Sequence, residues 1–161
     1  MISFCIATDA DVPLILDIYA AAAKTPGCTW NEYYPSMREI SFDIPRGYIY
    51  LMYSDGRPVG AATIGDLGDY TDAPWAVYPD SCELARVAIL PEFSGRGLAS
   101  RLVSEMLSEA AVRGWRSVRL LAAIQNPAAI ALYERLGFER RAAVVDWGND
   151  YYAYERLLER N

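Results

Sequence analysis

An α/β (α+β) architecture, with a central mixed sheet of six or seven strands flanked by about four helices, follows from three features of the sequence. Seven short runs rich in β-branched, aromatic and other apolar residues are bounded by turn signals. Four stretches between them carry helical periodicity or helix caps. In the second half a strand, a helix and another strand succeed one another with a connection long enough for a parallel crossover, while short turns elsewhere make hairpins. At 161 residues the chain is expected to form one domain, residues 1–161, able to bury a sizeable core.

In chain order, residues 2–7 (ISFCIA) read as a strand, after which Thr8 or Asp9 caps a helix over 11–23. There Val12, Ile15, Leu16, Tyr19 and Ala22 form one apolar stripe, and Pro26-Gly27 ends it. Residues 28–46 read as a loop and a short helix. In that segment Trp30, Tyr33, Tyr34 and Met37 stand among Glu32, Glu39 and Asp43, either as packing or as a pocket for a cationic or apolar molecule. Residues 48–53 and 58–64 are strands joined through Asp55-Gly56 as a hairpin. Residues 65–81, with Asp66, Asp69, Tyr70 and Asp72, form a long polar loop of the kind that is commonly functional, where Trp75 and Tyr78 are placed to cover a site. Residues 82–90 are a strand and 97–113 a helix with Leu98, Leu102, Met106 and Ala110 on its core face. A strand over 117–122 precedes a helix with Asn126 as cap and Pro127 at its first position, ending at Leu136-Gly137. Strands over 138–145 and 151–157, with 146–150 as the turn, close the chain as a hairpin.

Composition narrows the function classes. No apolar run reaches the ~20 residues of a membrane span, and the N-terminus lacks the basic start and apolar core of a signal peptide, so no membrane association and a cytoplasmic location are expected. Cys5, Cys28 and Cys82 contain no C-x-x-C pair and read as buried free thiols. With no His in the chain, His-based triads are excluded and no metal site is expected. The net charge is −6; residues 1–85 hold 12 acidic and 4 basic side chains, residues 86–161 hold 9 and 11. The second half suits an anionic ligand and the first a cationic one, with ordinary surface charge as the other reading. Nucleic acid is not an expected partner, for lack of a basic tract.

The chemistry concentrates in ELARVAILPEFSGRGLASRL, residues 83–102, where a strand passes through Pro91 into a glycine-rich turn and a helix. Gly95 and Gly97 let a ligand approach the backbone, and the first helical N–H groups lack intrahelical partners, which together with the helix dipole favours phosphate. Arg96 and Arg101 can add charge-assisted hydrogen bonds. A P-loop is excluded because Leu98 and Ala99 follow Gly97 in place of Lys and Ser/Thr. A dinucleotide fingerprint fits poorly: Ser100 occupies its third glycine position, and Ser117 stands where an acidic ribose ligand is expected.

Ser94-Gly95-Arg96-Gly97-Leu98-Ala99 resembles the pyrophosphate turn Gln/Arg-x-x-Gly-x-Gly/Ala of the GNAT superfamily of N-acetyltransferases, with Ser94 in place of the first residue. Residues 126–138, NPAAIALYERLGF, resemble that family's Asn-x-x-Ala-x-x-(x)-Tyr-x-x-x-Gly-Phe segment, at the usual distance downstream. The resemblance covers residues 82–138, with a weaker match of element order before them. It implies a GNAT-like three-layer fold in which a bulge splays two parallel strands and acyl-CoA lies between them. By position, backbone groups of Val87, Ala88 and Ile89 would bond the pantetheine arm, with the Val87 N–H on the thioester carbonyl. Ser94, Gly95, Arg96, Gly97, Leu98, Ala99 and Ser100 would cradle the pyrophosphate. Asn126 would contact the arm, Tyr133 would serve as general acid toward the thiolate, and Glu83 as general base.

The implied activity is direct transfer of an acetyl group from acetyl-CoA, as cosubstrate, to a primary amine, with no metal and no covalent enzyme intermediate. A small cationic amine is the favoured acceptor, given Glu32, Asp66, Asp69 and Asp72 near aromatic residues; a peptide or protein acceptor is the alternative. A non-catalytic acyl-CoA-binding or sensing module and a dinucleotide-binding oxidoreductase are the competing classes. Dimers are frequent in such proteins, so a homodimer is one expected assembly.

Overall fold

The chain runs through β1 (Ile2–Ile6), α1 (Val12–Ala22), α2 (Met37–Asp43), β2 (Ile49–Ser54), β3 (Arg57–Gly65), β4 (Ser81–Ile89), α3 (Leu98–Val112), β5 (Ser117–Ala123), α4 (Pro127–Arg135), β6 (Glu139–Asp146) and β7 (Asn149–Leu157). This computed structural model describes residues 1–68, 72–77 and 79–159. The strands form one sheet in the order β1-β2-β3-β4-β5-β7-β6. All neighbours are antiparallel except β4 and β5, the pair joined by the α3 crossover. The mixed seven-stranded sheet with four helices is the architecture expected. One detail differs from a simple meander: β7, not β6, lies beside β5, so the last strand of the chain enters the sheet inside its own hairpin partner.

Local chemistry starts the helices. Asp11 accepts the Thr8 N–H at 2.8 Å. Ser36 and Glu39 form a capping box on α2, with the Ser36 N–H donating to Glu39 Oε2 at 2.9 Å and the Arg38 N–H to Ser36 Oγ at 3.3 Å. Asn126 Oδ1 accepts the Ala129 N–H at 3.2 Å, so its expected capping role is met. Both tight hairpins turn on two left-handed residues, Asp55-Gly56 and Trp147-Gly148. The second is shorter than the expected five-residue turn, because pairing continues out to Asp146 opposite Asn149.

Helices cover both faces. On one, Leu102, Val103, Met106 and Ala110 of α3 and Leu132 and Tyr133 of α4 pack over Met52, Ile64, Cys82, Leu84, Val118 and Leu120. On the other, Ile15, Ile18, Tyr19 and Ala22 of α1 and Ile40 of α2 pack over Ile49, Leu51, Ala61 and Ala88. The expectation of three buried thiols holds only for Cys82; Cys28 is half-buried and Cys5 exposed. Cys5 lies on edge strand β1 and alternates away from Phe4, which packs against the core. No helix among the described residues is long and apolar enough to cross a membrane.

Strands β3 and β4 leave no room for a side chain at Gly60, which pairs with Ile89. A Cβ there would stand 2.5 Å from the Ala88 carbonyl oxygen and 2.7 Å from Ile89 Cδ1. Gly60→Ala is therefore expected to destabilise the fold by about 1–3 kcal/mol through overpacking; an unchanged urea midpoint would refute the close approach.

Candidate active site

The parallel pair is bonded only at its start. Ser81, Cys82 and Glu83 pair with Ser117, Val118 and Arg119, and beyond that the strands part although β4 continues to Ile89 and β5 to Ala123. The cause lies on the far side of β4, where Ala85 pairs with Thr63 but Ala88 with Ala61. Two residues, Arg86 and Val87, thus oppose Ala62 alone, and Arg86 adopts φ 51°. This is a β-bulge, which bends the strand and reverses its facing. Leu84 belongs to the core under α3 and α4, whereas Ala88, four residues on, belongs to the core under α1 and α2. The result is a fork whose inner edges have no ladder partner. Val87 and Ile89 are half-buried along it, and Ala88 is buried.

The glycine turn stands at the end of the same strand. Pro91–Phe93 form a 3₁₀ turn, and Gly95 (φ 76°) and Gly97 (φ 75°) are left-handed, with Gly97 capping α3. A Cβ on either would meet nothing within 4 Å, so the space over this backbone is open to a ligand. Ser94, Gly95, Arg96 and Gly97 are exposed, while Leu98, Ala99 and Ser100 of the first turn are half-exposed. An extended arm fits the fork, and an anion fits the N–H groups from Gly95 onward; the expected cradle is corrected at Ser94, whose N–H donates to the Pro91 carbonyl at 3.1 Å and closes the 3₁₀ turn.

The two residues expected to move protons lie on opposite faces of the sheet. Glu83 is the last residue of β4 paired with β5 and alternates opposite Leu84, toward the α1–α2 face; its Oε2 accepts the Leu67 N–H at 3.1 Å. Tyr133 belongs to the α3–α4 core, 8% exposed, its ring edge-on to Phe138 at 5.5 Å between centroids. Burial raises its phenol to about 12, so it is neutral and able to donate at neutral pH. Asn126 caps α4 beside the end of β5. Among the described residues no cluster of acidic or thiol groups is arranged to hold a metal ion.

Two buried polar networks bracket the fork. Arg86 Nη2 donates to Asp43 Oδ2 at 2.8 Å and Nη1 to the Tyr34 hydroxyl at 3.2 Å, with Asp43 0% exposed. Burial opposes the guanidinium's charge, but Tyr34 and Asp43 outweigh it and hold its pKa above the usual value. Glu155, also 0% exposed, accepts from the Ala76 N–H at 2.7 Å, the Val77 N–H at 3.1 Å and Arg141 Nε at 2.9 Å. Burial raises its carboxyl, and these donors more than offset that and bring it below the usual range. Arg119, paired with Glu83, donates to the Val77 carbonyl and stacks on Trp75 at 4.8 Å.

These contacts correct part of the sequence-based picture. Trp30 packs edge-on against Tyr19 at 5.6 Å. Glu39 is engaged in the α2 cap and Asp43 in the ion pair, so of that segment's carboxylates Glu32 is the exposed one. Trp75 is held by Arg119; Asp69, Tyr70 and Tyr78 lie outside the described residues. Arg86, Arg119 and Glu155 were not among the expected site residues. Their signal was a charge in the middle of an apolar strand, as in ELARVAIL, where a buried charge requires a partner.

Comparison with known proteins was consistent with this geometry. The profile of the Acetyltransferase (GNAT) family matches residues 15–138. An uncharacterized N-acetyltransferase of Methanocaldococcus jannaschii is 32% identical over 96 residues, a match covering 58% of this chain but only 39% of that protein's length. The L-methionine sulfoximine/L-methionine sulfone acetyltransferase of Pseudomonas aeruginosa is 33% identical over 138 residues, 81% of this chain and 76% of that protein. A Salmonella typhimurium structure solved with its cofactor acetyl-CoA superposes with a TM-score of 0.75 at 23% identity, over 100% of this chain and 96% of that one.

Removing one partner of the buried pair leaves the other charged and dry. Arg86→Met alone should cost about 3–5 kcal/mol in urea denaturation, and Arg86→Met with Asp43→Leu distinctly less; equal costs would show that charge pairing is not what the bulge requires. The lowered pKa of Glu155 gives a stabilisation that is complete above the unfolded-state value of about 4.3 and is lost as pH falls through the lower folded value. The stability gap between wild type and Glu155→Gln should be full at pH 7 and shrink below about pH 4; a pH-independent gap would contradict this.

Proposed function

Because the chain belongs to the acetyltransferase (GNAT) family of acetyl-CoA-dependent N-acetyltransferases, we propose that it acetylates the primary amine of a small molecule by direct attack in a ternary complex. The observation that carries this reading is the fork: strands bonded only as far as Glu83 and Arg119, with an open, glycine-lined turn at the end of the longer arm. Acetyl-CoA supplies an acyl group already activated as a thioester; the remaining functions fall to this chain. Backbone groups of Val87, Ala88 and Ile89 hold the pantetheine arm, and the Val87 N–H faces the carbonyl oxygen, where a fixed donor to developing charge is a large catalytic contribution. The backbone of Gly95, Arg96, Gly97, Leu98, Ala99 and Ser100 takes the pyrophosphate, while the Ser94 N–H is used within the chain, on the Pro91 carbonyl. Asn126 uses Oδ1 for its helix and keeps its amide N–H groups for the arm.

Proton movement is divided between the two faces. An attacking amine must be neutral, and Glu83 removes its proton through water. Tyr133, kept protonated by burial, donates to the leaving sulfur. A cationic small amine suits the exposed carboxylates Glu32, Asp66 and Asp72. The Pseudomonas relative acts on L-methionine sulfoximine and L-methionine sulfone, which makes an amino-acid-like amine the second acceptor class to test.

Release of CoA thiol with a panel of small amines, polyamines, amino acids and peptides tests the acceptor. Turnover with a small amine supports the reading; turnover with peptides alone refutes the small-molecule acceptor. Tight CoA binding without release for any amine would identify a non-catalytic acyl-CoA-binding module. Tyr133→Phe should lower kcat by about 10²-fold or more with little change in CoA affinity, and Glu83→Gln should lower the rate and abolish the acidic limb of the pH–rate profile. Wild-type turnover in the first variant or an unaltered profile in the second would remove that residue from the mechanism.

A further inference from the structure

Two guanidinium groups from distant parts of the chain converge on one ring beside the glycine turn. The Arg57 Cζ, at the start of β3, lies 5.3 Å from the centroid of Phe93, and that of Arg96, inside the turn, lies 5.5 Å from the same centroid. Phe93 is half-buried and packs against the α3–α4 core, so it is a fixed post for both side chains. Arg57 and Arg96 are exposed, and among the described residues neither forms an ion pair. The nearest carboxylates in sequence do not neutralise them: Asp55 is held by the N-terminal ammonium, and Glu92 is exposed and pairs with neither.

The ring attracts each cation by only about 0.5–1 kcal/mol at an exposed site, while the cations repel each other. An anion accepting from both would offset that repulsion. Ser94 contributes nothing to this, since its hydroxyl donates to the Pro91 carbonyl at 2.8 Å.

CoA carries phosphate in two places. The pyrophosphate suits the backbone N–H groups of the turn, whereas the ribose 3′-phosphate, a separate and nearly dianionic group, needs side-chain cations of its own. We infer that Arg57, with Arg96, binds the 3′-phosphate of CoA, which makes the β2–β3 hairpin part of the cosubstrate site. The inference rests on the acetyl-CoA reading above. It accounts for a cation at the hairpin end, outside the contiguous turn and helix that the sequence motif describes, and for two like charges gathered on one aromatic ring.

Calorimetric titration of the full chain with CoA and with 3′-dephospho-CoA tests the assignment without requiring an acceptor. Wild type should bind CoA about 10-fold more tightly than the dephospho form, and Arg57→Ala should bring the ratio of the two Kd values close to one, with Arg57→Lys between. Arg57 is exposed on a hairpin, so an unchanged thermal midpoint will show that the fold is intact. Equal affinities in wild type overturn the inference. Equal weakening of both ligands by Arg57→Ala also overturns it and moves Arg57 to the pyrophosphate. Binding of neither ligand by wild type removes the acyl-CoA reading together with this one.

Discussion

A buried ion pair holds the sheet open. Arg86 sits in a left-handed conformation in the middle of β4, and its guanidinium meets the carboxylate of Asp43 at 2.8 Å on the face covered by α1 and α2. Regular alternation from Leu84 would send Arg86 into the apolar core beneath α3 and α4, where a charge without a partner is costly. The extra residue turns it to the side where Asp43 and Tyr34 wait. From there on β4 is out of step with β5, which remains in register with β7 along its whole length. The fork is thus a consequence of where one charge can be buried.

The second network does for the surrounding loop what the first does for the strand. Glu155 on β7 binds two successive backbone N–H groups, those of Ala76 and Val77, while Arg119 on β5 binds the Val77 carbonyl and supports Trp75. The end of the loop between β3 and β4 is thereby tied to the two strands beyond the fork. At its other end the Leu67 N–H is held by Glu83. A residue proposed to accept a proton therefore also positions the loop beside it, and its environment is set by backbone that the buried networks fix.

Much of the molecule was legible from local signals. The cap at Asn126, the hairpin turn at Asp55-Gly56 and the two glycines before α3 depend on residues a few positions apart, and each formed where the local pattern placed it; the Ser36–Glu39 cap of α2 is equally local but was not read in advance. Polar residues with non-local partners were left open or missed. Asp43 stood in a segment read either as packing or as a pocket, and its role as the counter-ion of Arg86 was not read from it. The contact of Trp75 with Arg119 was not visible in the loop that carries it. Cys5 was read as buried, as free thiols usually are, but its strand lies at the sheet's edge.

The order of elements, the phosphate-type turn and the helix periodicities were written in the chain, because backbone propensity, capping and left-handed turns are satisfied within a few residues. The depth of the fork, the face presented by each half of β4 and the convergence of Arg57 and Arg96 on Phe93 were not. They depend on which charge finds which partner across 43 residues, as for Arg86 and Asp43, or 78, as for Glu155 and Val77. Such pairings exist only once the sheet has brought distant segments together, and no local pattern specifies them.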